Sequence, residues 1–276
     1  MGSRSTAGYA KRNLSCSSAV NIMRAITAIV YVLIYSTAFA DKPLGQTVQV
    51  NLRRGSFDTY HFVPSGLPRA VILFGSGDGG WGYVENHVSA FLKNSGFYVV
   101  GVDFRKYAKS DYEGPVLIAD YRTIVADALS RTGHPELPVV YGGWSMGAVQ
   151  AVAAAGSDQR SSRLVGLLLL SMGSRGRYGL RFTDEIGLAP EGKGTFAVAD
   201  FTPAVANLRV VQFEAVGDWM NSVDWTKTLK TPHRLFELQK TNHDFNGINT
   251  DFQKVLLDGL NWILDPSRPA GDEAKA

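Results

Sequence analysis

From residue 70 onward, short unbroken apolar runs alternate with segments of helical periodicity, and this alternation is what most narrows the fold. The runs lie at 70–74, 97–102, 138–141, 164–170, 208–215 and 234–238, and the intervening spacing predicts helices over 83–94, 116–131, 146–155 and 251–264. Strands buried on both faces read as continuous apolar stretches, whereas strands with one wet face alternate. Alternating strands of the second kind occur only at the start: QTVQVNL and FDTYHFV flank Arg53-Arg54-Gly55-Ser56 and predict a β-hairpin over 46–63. The last helix places Phe252, Val255, Leu256, Leu260 and Ile263 at three- and four-residue spacing, an apolar face for packing on a sheet. The expectation is an α/β fold, a mostly parallel eight-stranded sheet with helices on both faces. One connection, 171–205, is longer than such links usually are and is rich in Gly and Arg, which suits a lid or substrate loop.

The chain has 276 residues with 28 Lys and Arg against 25 Asp and Glu, but its basicity is unevenly placed. Residues 1–40 hold Arg4, Lys11, Arg12 and Arg24 and no acid, leaving 24 basic against 25 acidic residues in 41–276. A near-neutral domain lacks the concentrated basic face that nucleic acid requires. The apolar stretch from Ala25 to Ala40 is shorter than the roughly 20 residues of a spanning helix. Arg24 precedes it and Ala38-Phe39-Ala40 closes it, so 1–40 reads as a signal peptide cut before Asp41, and a start at Met23 would give it an ordinary length. That predicts a periplasmic domain over 41–276. Cys16, the only cysteine, precedes the apolar stretch and leaves the mature domain without a disulfide.

Gly143-Trp144-Ser145-Met146-Gly147 fits G-x-S-x-G, a weak signal alone in a chain with 29 glycines. Its context is stronger, because an apolar strand runs into it and the small-residue helix AVQAVAAA runs out. That is a nucleophile elbow, in which glycines permit a strained turn pressed against its neighbours. A serine hydroxyl needs a base, itself oriented by a carboxylate, and in this arrangement the chain order is Ser, acid, His. Only His233 and His243 follow Ser145. His233 opens a strand, while His243 lies in the loop between the last strand and the last helix, where functional loops gather, and is the expected base. Asp218, at the end of LRVVQFEAVG, is the expected acid, with Asp224 second and Glu214 inside the strand as a further carboxylate near the site. The oxyanion donors expected by position are the N–H of Met146 and that of Asp78, the latter in the glycine-dense loop Gly75-Ser76-Gly77-Asp78-Gly79-Gly80-Trp81. That loop lacks the pattern of a P-loop or a dinucleotide site, so neither cofactor nor metal is expected.

Phe74-Gly-Ser-Gly-Asp-Gly-Gly-Trp81, Val99-Val-Gly-Val-Asp103, Tyr107 and the Gly143–Gly147 elbow together resemble the bacterial virulence protein VirJ/AcvB family, exported α/β-hydrolases, over roughly 68–265. The resemblance implies an α/β-hydrolase fold and hydrolysis of an aminoacyl phospholipid of the lysyl-phosphatidylglycerol type. By motif it implies Ser145 as nucleophile, Asp218 as acid, His243 as base, and Asp78 and Met146 as oxyanion donors. The chain departs from the family at Trp144 and Met146, where Gly-Tyr-Ser-Phe-Gly is usual, and at Asp244, where a second His is usual. Gly77, Trp81, Trp144 and Asp244 are the residues expected around the substrate. Asp78, Glu85 and Asp244 are candidate carboxylates for a cationic head group, and Arg175, Arg177 and Arg181 for a lipid phosphate. Two other readings stand beside this one: a general periplasmic esterase or lipase, and a non-catalytic binding protein of a secretion system.

Overall fold

The computed structural model describes residues 42–156 and 160–269, together with the backbone of 274–275. The leader, Met23, Cys16 and the cut before Asp41 lie outside the described residues. Among those described, no helix is long and apolar enough to cross a membrane.

The hairpin forms with β1 (Gln46–Leu52) and β2 (Gly55–Phe62), which pair antiparallel across the two-residue turn Arg53-Arg54. β2 runs antiparallel to β4 (Tyr98–Val102), and from there the sheet is parallel through β3 (Val71–Gly75), β5 (Val139–Trp144), β6 (Leu164–Leu170), β9 (Arg209–Ala215) and β10 (His233–Leu238). These are the eight expected strands. A two-residue ninth, β11 (Ala274–Lys275), pairs beside β10. The order is β1-β2-β4-β3-β5-β6-β9-β10-β11, so the chain starts at the hairpin on one edge, enters the parallel block at β3, steps back to β4 beside the hairpin, and then runs the other way from β5 to β11.

Helices α1 (Tyr83–Asn94), α2 (Gly114–Thr132), α3 (Met146–Ala155) and α4 (Thr250–Leu264) cover the sheet, close to the spans the periodicity predicts. Successive residues of β3 show why its sequence is apolar throughout: Val71 and Leu73 join the core beneath α2 and α3, and Ile72 and Phe74 the core beneath α1 and α4. All four are fully buried, each side chain contributing about 1.5–3 kcal/mol. Asn249 caps α4 by accepting the N–H groups of Asp251 and Phe252.

The long connection is anchored rather than loose. It carries a small antiparallel pair, β7 (Arg175–Arg177) and β8 (Thr195–Ala197). Arg177 is buried, pairs with Asp184 at 2.9 Å, and donates to the carbonyls of Glu191 and Lys193 at 2.8 and 3.0 Å. Gln150 on α3 donates to the Arg177 carbonyl, tying the segment to the elbow helix. Arg177 is therefore a staple of the loop, and Arg181 is engaged by Asp111 at 2.7 Å. Neither is free for the lipid phosphate suggested for them, whereas Arg175 stays exposed at the cleft.

Candidate active site

Parallel strands deliver their C-terminal ends to one edge, and the loops after β3, β5, β6, β9 and β10 meet there. Ser145 stands between β5 and α3 with φ 52° and ψ −117°, a conformation that costs a non-glycine residue on the order of 1–3 kcal/mol. The turn survives because its neighbours leave no alternative. A Cβ on Gly147 would lie 2.1 Å from the Gly75 carbonyl oxygen, and one on Gly143 2.4 Å from the Gly147 backbone. Only glycine at both positions lets α3 start hard against β3. The Ser145 N–H donates to the Leu170 carbonyl at 2.9 Å, and its own carbonyl accepts from Ala148 and Val149.

His243 and Asp218, 25 residues apart in sequence, meet at this edge: His243 Nδ1 lies 2.5 Å from Asp218 Oδ2. The other Asp218 oxygen accepts the Met220 N–H at 3.1 Å, which fixes the carboxylate's orientation. His243 is held by its main chain. Its carbonyl accepts from Trp144 Nε1 at 2.8 Å and from Ser171 Oγ at 2.9 Å, and the Trp144 ring lies 5.0 Å from the imidazole. Behind it, Asn242 and Asn246 exchange side-chain to backbone hydrogen bonds across a left-handed turn. Trp144, next to Ser145, thus joins the elbow to the histidine loop. Ser145 is half-buried, and its hydroxyl makes no hydrogen bond among the described residues; such contacts often tighten only when substrate is bound.

The loop after β3 closes over the serine. A Cβ on Gly77 would sit 2.9 Å from the Trp144 ring and 3.6 Å from Ser145 Cβ, so only glycine fits there. Among the hydrogen bonds of the described residues the Met146 N–H has no partner, as a free donor at a developing charge requires, while the Asp78 N–H lies against its own carboxylate. A cleft of about 280 Å³ opens beside them, lined by Asp78, Ser145 and Met146 on one side and by the 173–190 segment and 219–222 on the other. The Asp78 carboxyl is pushed up to about 6, chiefly by burial, with Glu185 adding to the rise and His243 opposing it. Among the described residues no ion pair neutralises Asp78.

Several expected site residues lie elsewhere. Trp81 is buried beneath α1, its Nε1 donating to Asn86 at 2.9 Å and its ring 4.9 Å from Tyr60, so it belongs to the core rather than the cleft. Trp144 supports His243 and is not among the cleft-lining residues, nor is Asp244, one of whose carboxylate oxygens is buried and finds no hydrogen bond among the described residues. Gly77 provides close approach to Ser145 rather than cleft wall. Glu85 is buried under the loop, out of reach of a head group. Asp224 is exposed and paired with Lys227, which removes it as the orienting acid, and Glu214 faces Glu237 across the β9–β10 register. His233 opens β10 as expected, with Nδ1 on the Thr231 carbonyl. Ser171 was not singled out by sequence, although its place directly after β6 on this edge was available as a signal.

A model of the bacterial virulence protein VirJ matches residues 69–261. The chain belongs to the VirJ family. A comparison with curated protein sequences finds no match. Among solved structures, this VirJ-family chain is similar to the esterase domain of a Rhodothermus marinus protein, with a TM-score of 0.56 and 16% identity over 79% of this chain and 97% of that one. An α/β serine hydrolase without a lid from Xanthomonas campestris gives 0.53 and 20%, over 83% and 99%. A putative dienelactone hydrolase from Klebsiella pneumoniae gives 0.62 and 11%, over 81% and 99%. The architecture is that of the α/β-hydrolases.

Proposed function

We propose that this VirJ-family protein is a serine hydrolase that cleaves a carboxylic ester through an acyl-enzyme on Ser145. The observation that carries the reading is the 2.5 Å His243–Asp218 pair standing on the same sheet edge as a serine in a strained strand-to-helix turn. Asp218 holds the imidazole with Nδ1 protonated, leaving Nε2 to take the Ser145 proton as Oγ attacks the ester carbonyl. The N–H groups of Asp78 and Met146 bind the resulting oxyanion. The proton passes from His243 to the leaving alkoxide, and a water activated by the same imidazole then releases the acid and restores Ser145.

For the substrate we infer an aminoacyl ester carried on a phospholipid. Asp78 supports the cationic part, because it lines the cleft beside Ser145 and has no ion-pair partner among the described residues. The rim supports the lipid part: Trp219 and Leu188 line the cleft yet are 63% and 48% exposed, and Phe182 nearby is 67% exposed. Large apolar side chains are left to water where a partner or lipid covers them. The leader would place the enzyme outside the cytoplasm, facing such lipids. A general lipase is the second reading, favoured by the apolar wall of Val149, Leu180, Pro190 and Met220.

The test is hydrolysis by residues 41–276 of lysyl-phosphatidylglycerol in vesicles, of neutral diacyl phospholipid and of a soluble nitrophenyl ester, with Ser145→Ala as control. Release of lysine that depends on Ser145 supports the proposal. Turnover of neutral esters alone selects the lipase reading, and no Ser145-dependent turnover of any ester overturns the hydrolase. Asp78→Asn is expected to lower aminoacyl ester turnover far more than neutral ester turnover.

A further inference from the structure

Glu85 is 1% exposed, yet it is a carboxylate, and the triad chemistry has no use for it. Its surroundings show what it holds. One oxygen accepts the N–H of Gly77 at 3.1 Å and the other the N–H of Gly82 at 2.9 Å. Gly77 is where the chain leaves β3 for the glycine loop, and Gly82 is where the loop enters α1. A single side chain therefore spans the two ends of the segment that contains Asp78. Within that span the loop folds on itself, with the Gly80 N–H on the Gly77 carbonyl at 3.1 Å. The β3 side is pinned as well: Ser76 N–H donates to Val102, and Ser76 Oγ accepts from Phe104. A Cβ on Gly77 would meet the Trp144 ring and Ser145 Cβ, so its backbone runs close beside them, and a shift of its peptide is a shift of the next N–H, that of Asp78, against the serine.

We propose that Glu85 is a positioning residue for the oxyanion hole, its buried carboxylate clamping both ends of the loop so that the Asp78 N–H stays aimed beside Ser145. The inference rests on the hydrolase reading for its catalytic purpose, while the clamp is a statement about two amides. In its ionised form, which prevails above about pH 7, the carboxylate suits the task because both of its oxygens accept, and charge-assisted bonds to backbone N–H are among the stronger ones. Glutamine has the same shape but presents an NH₂ to one of the two N–H groups, which opens one jaw. A loop loosened by a fraction of an ångström misplaces one donor, and a lost oxyanion donor costs about 10²–10³ in rate.

The experiment compares wild type with Glu85→Gln by two independent readouts. Steady-state hydrolysis of a small neutral nitrophenyl ester is expected to show kcat lower by about 10- to 100-fold with KM within a factor of three, since the clamp acts on the transition state and not on the cleft. In ¹⁵N-glycine-labelled protein, the Gly77 and Gly82 amides are expected to exchange slowly in wild type, and one of them quickly in the variant. Unchanged kcat, or unchanged exchange at both amides, overturns the proposal. Wild type without Ser145-dependent turnover overturns the hydrolase reading, and with it the purpose of the clamp, while the amides still decide whether the clamp exists. If Glu85→Gln does not fold, wild-type exchange decides: Gly77 and Gly82 amides as labile as that of exposed Gly79 overturn the proposal.

Discussion

Burying Glu85 leaves a mark on stability that is separable from catalysis. Its carboxyl is pushed up to about 7 from an ordinary 4.5, chiefly by burial, with Asp103 adding to the rise and the Gly77 and Gly82 amides opposing it. A folded-state value above the unfolded one means that the native protein holds this proton more tightly. The associated stability is fully present below about pH 4.5 and is lost as pH rises through about 7. A displacement of that size, at 1.36 kcal/mol per unit, amounts to about 3 kcal/mol. Glu85→Gln removes the titration and adds a pH-independent penalty of about 1–3 kcal/mol for one unmatched buried N–H. The measurement is urea unfolding of both proteins at intervals from pH 4 to pH 8, read as the difference between them. His61 and Asp78 also titrate with folding, His61 down to about 4 through burial and Asp78 up to about 6, but both are present in both proteins and cancel. The variant is expected to be less stable by about 1–3 kcal/mol at pH 4 and to gain about 3 kcal/mol on wild type by pH 8, matching or exceeding it there, a relative shift of roughly 1 M in urea midpoint. Parallel curves across that range would refute the burial argument.

Three further outcomes follow from the site. Asp218→Asn should leave the fold intact and lower kcat by about 10³-fold or more, because the imidazole loses the partner that fixes its tautomer, and circular dichroism with ester kinetics checks both halves. Trp144→Phe keeps the ring but removes one of the two donors to the His243 carbonyl, a loss of about 1 kcal/mol that should appear as a several-fold fall in kcat with fluorophosphonate labelling retained. Gly147→Ala places a methyl group 2.1 Å from the Gly75 carbonyl oxygen, so thermal unfolding should show a loss of about 3 kcal/mol or more, or no soluble protein.

The sheet was legible because burial on both faces writes itself into sequence as unbroken apolar runs, and the span 164–170 for β6 and 146–155 for α3 coincide with the structure. The elbow was legible for a related reason: its two glycines are dictated by backbone contacts that any such turn must make. Asp218 and His243 were reachable through chain order and position at strand ends, and the structure places them 2.5 Å apart. Side chains whose role depends on which way they point were not reachable. Trp81 and Trp144 stand three and one residues from strongly suggestive neighbours, Asp78 and Ser145, yet Trp81 packs against Tyr60 in the core and Trp144 braces the His243 carbonyl.

Glu85 marks where reading along the chain stops. A glutamate three residues after the residue that caps a helix reads as a local capping contact, and its bond to the Gly82 N–H is that contact. The second oxygen reaches Gly77, eight residues back and across the mouth of a loop whose path no periodicity describes. Helical periodicity predicts α1, and the glycines predict a loop, but the distance between the loop's two ends is set by β3 and α1 packing on the same sheet. One carboxylate can join those ends only after that packing is in place, so the clamp is a property of the tertiary structure.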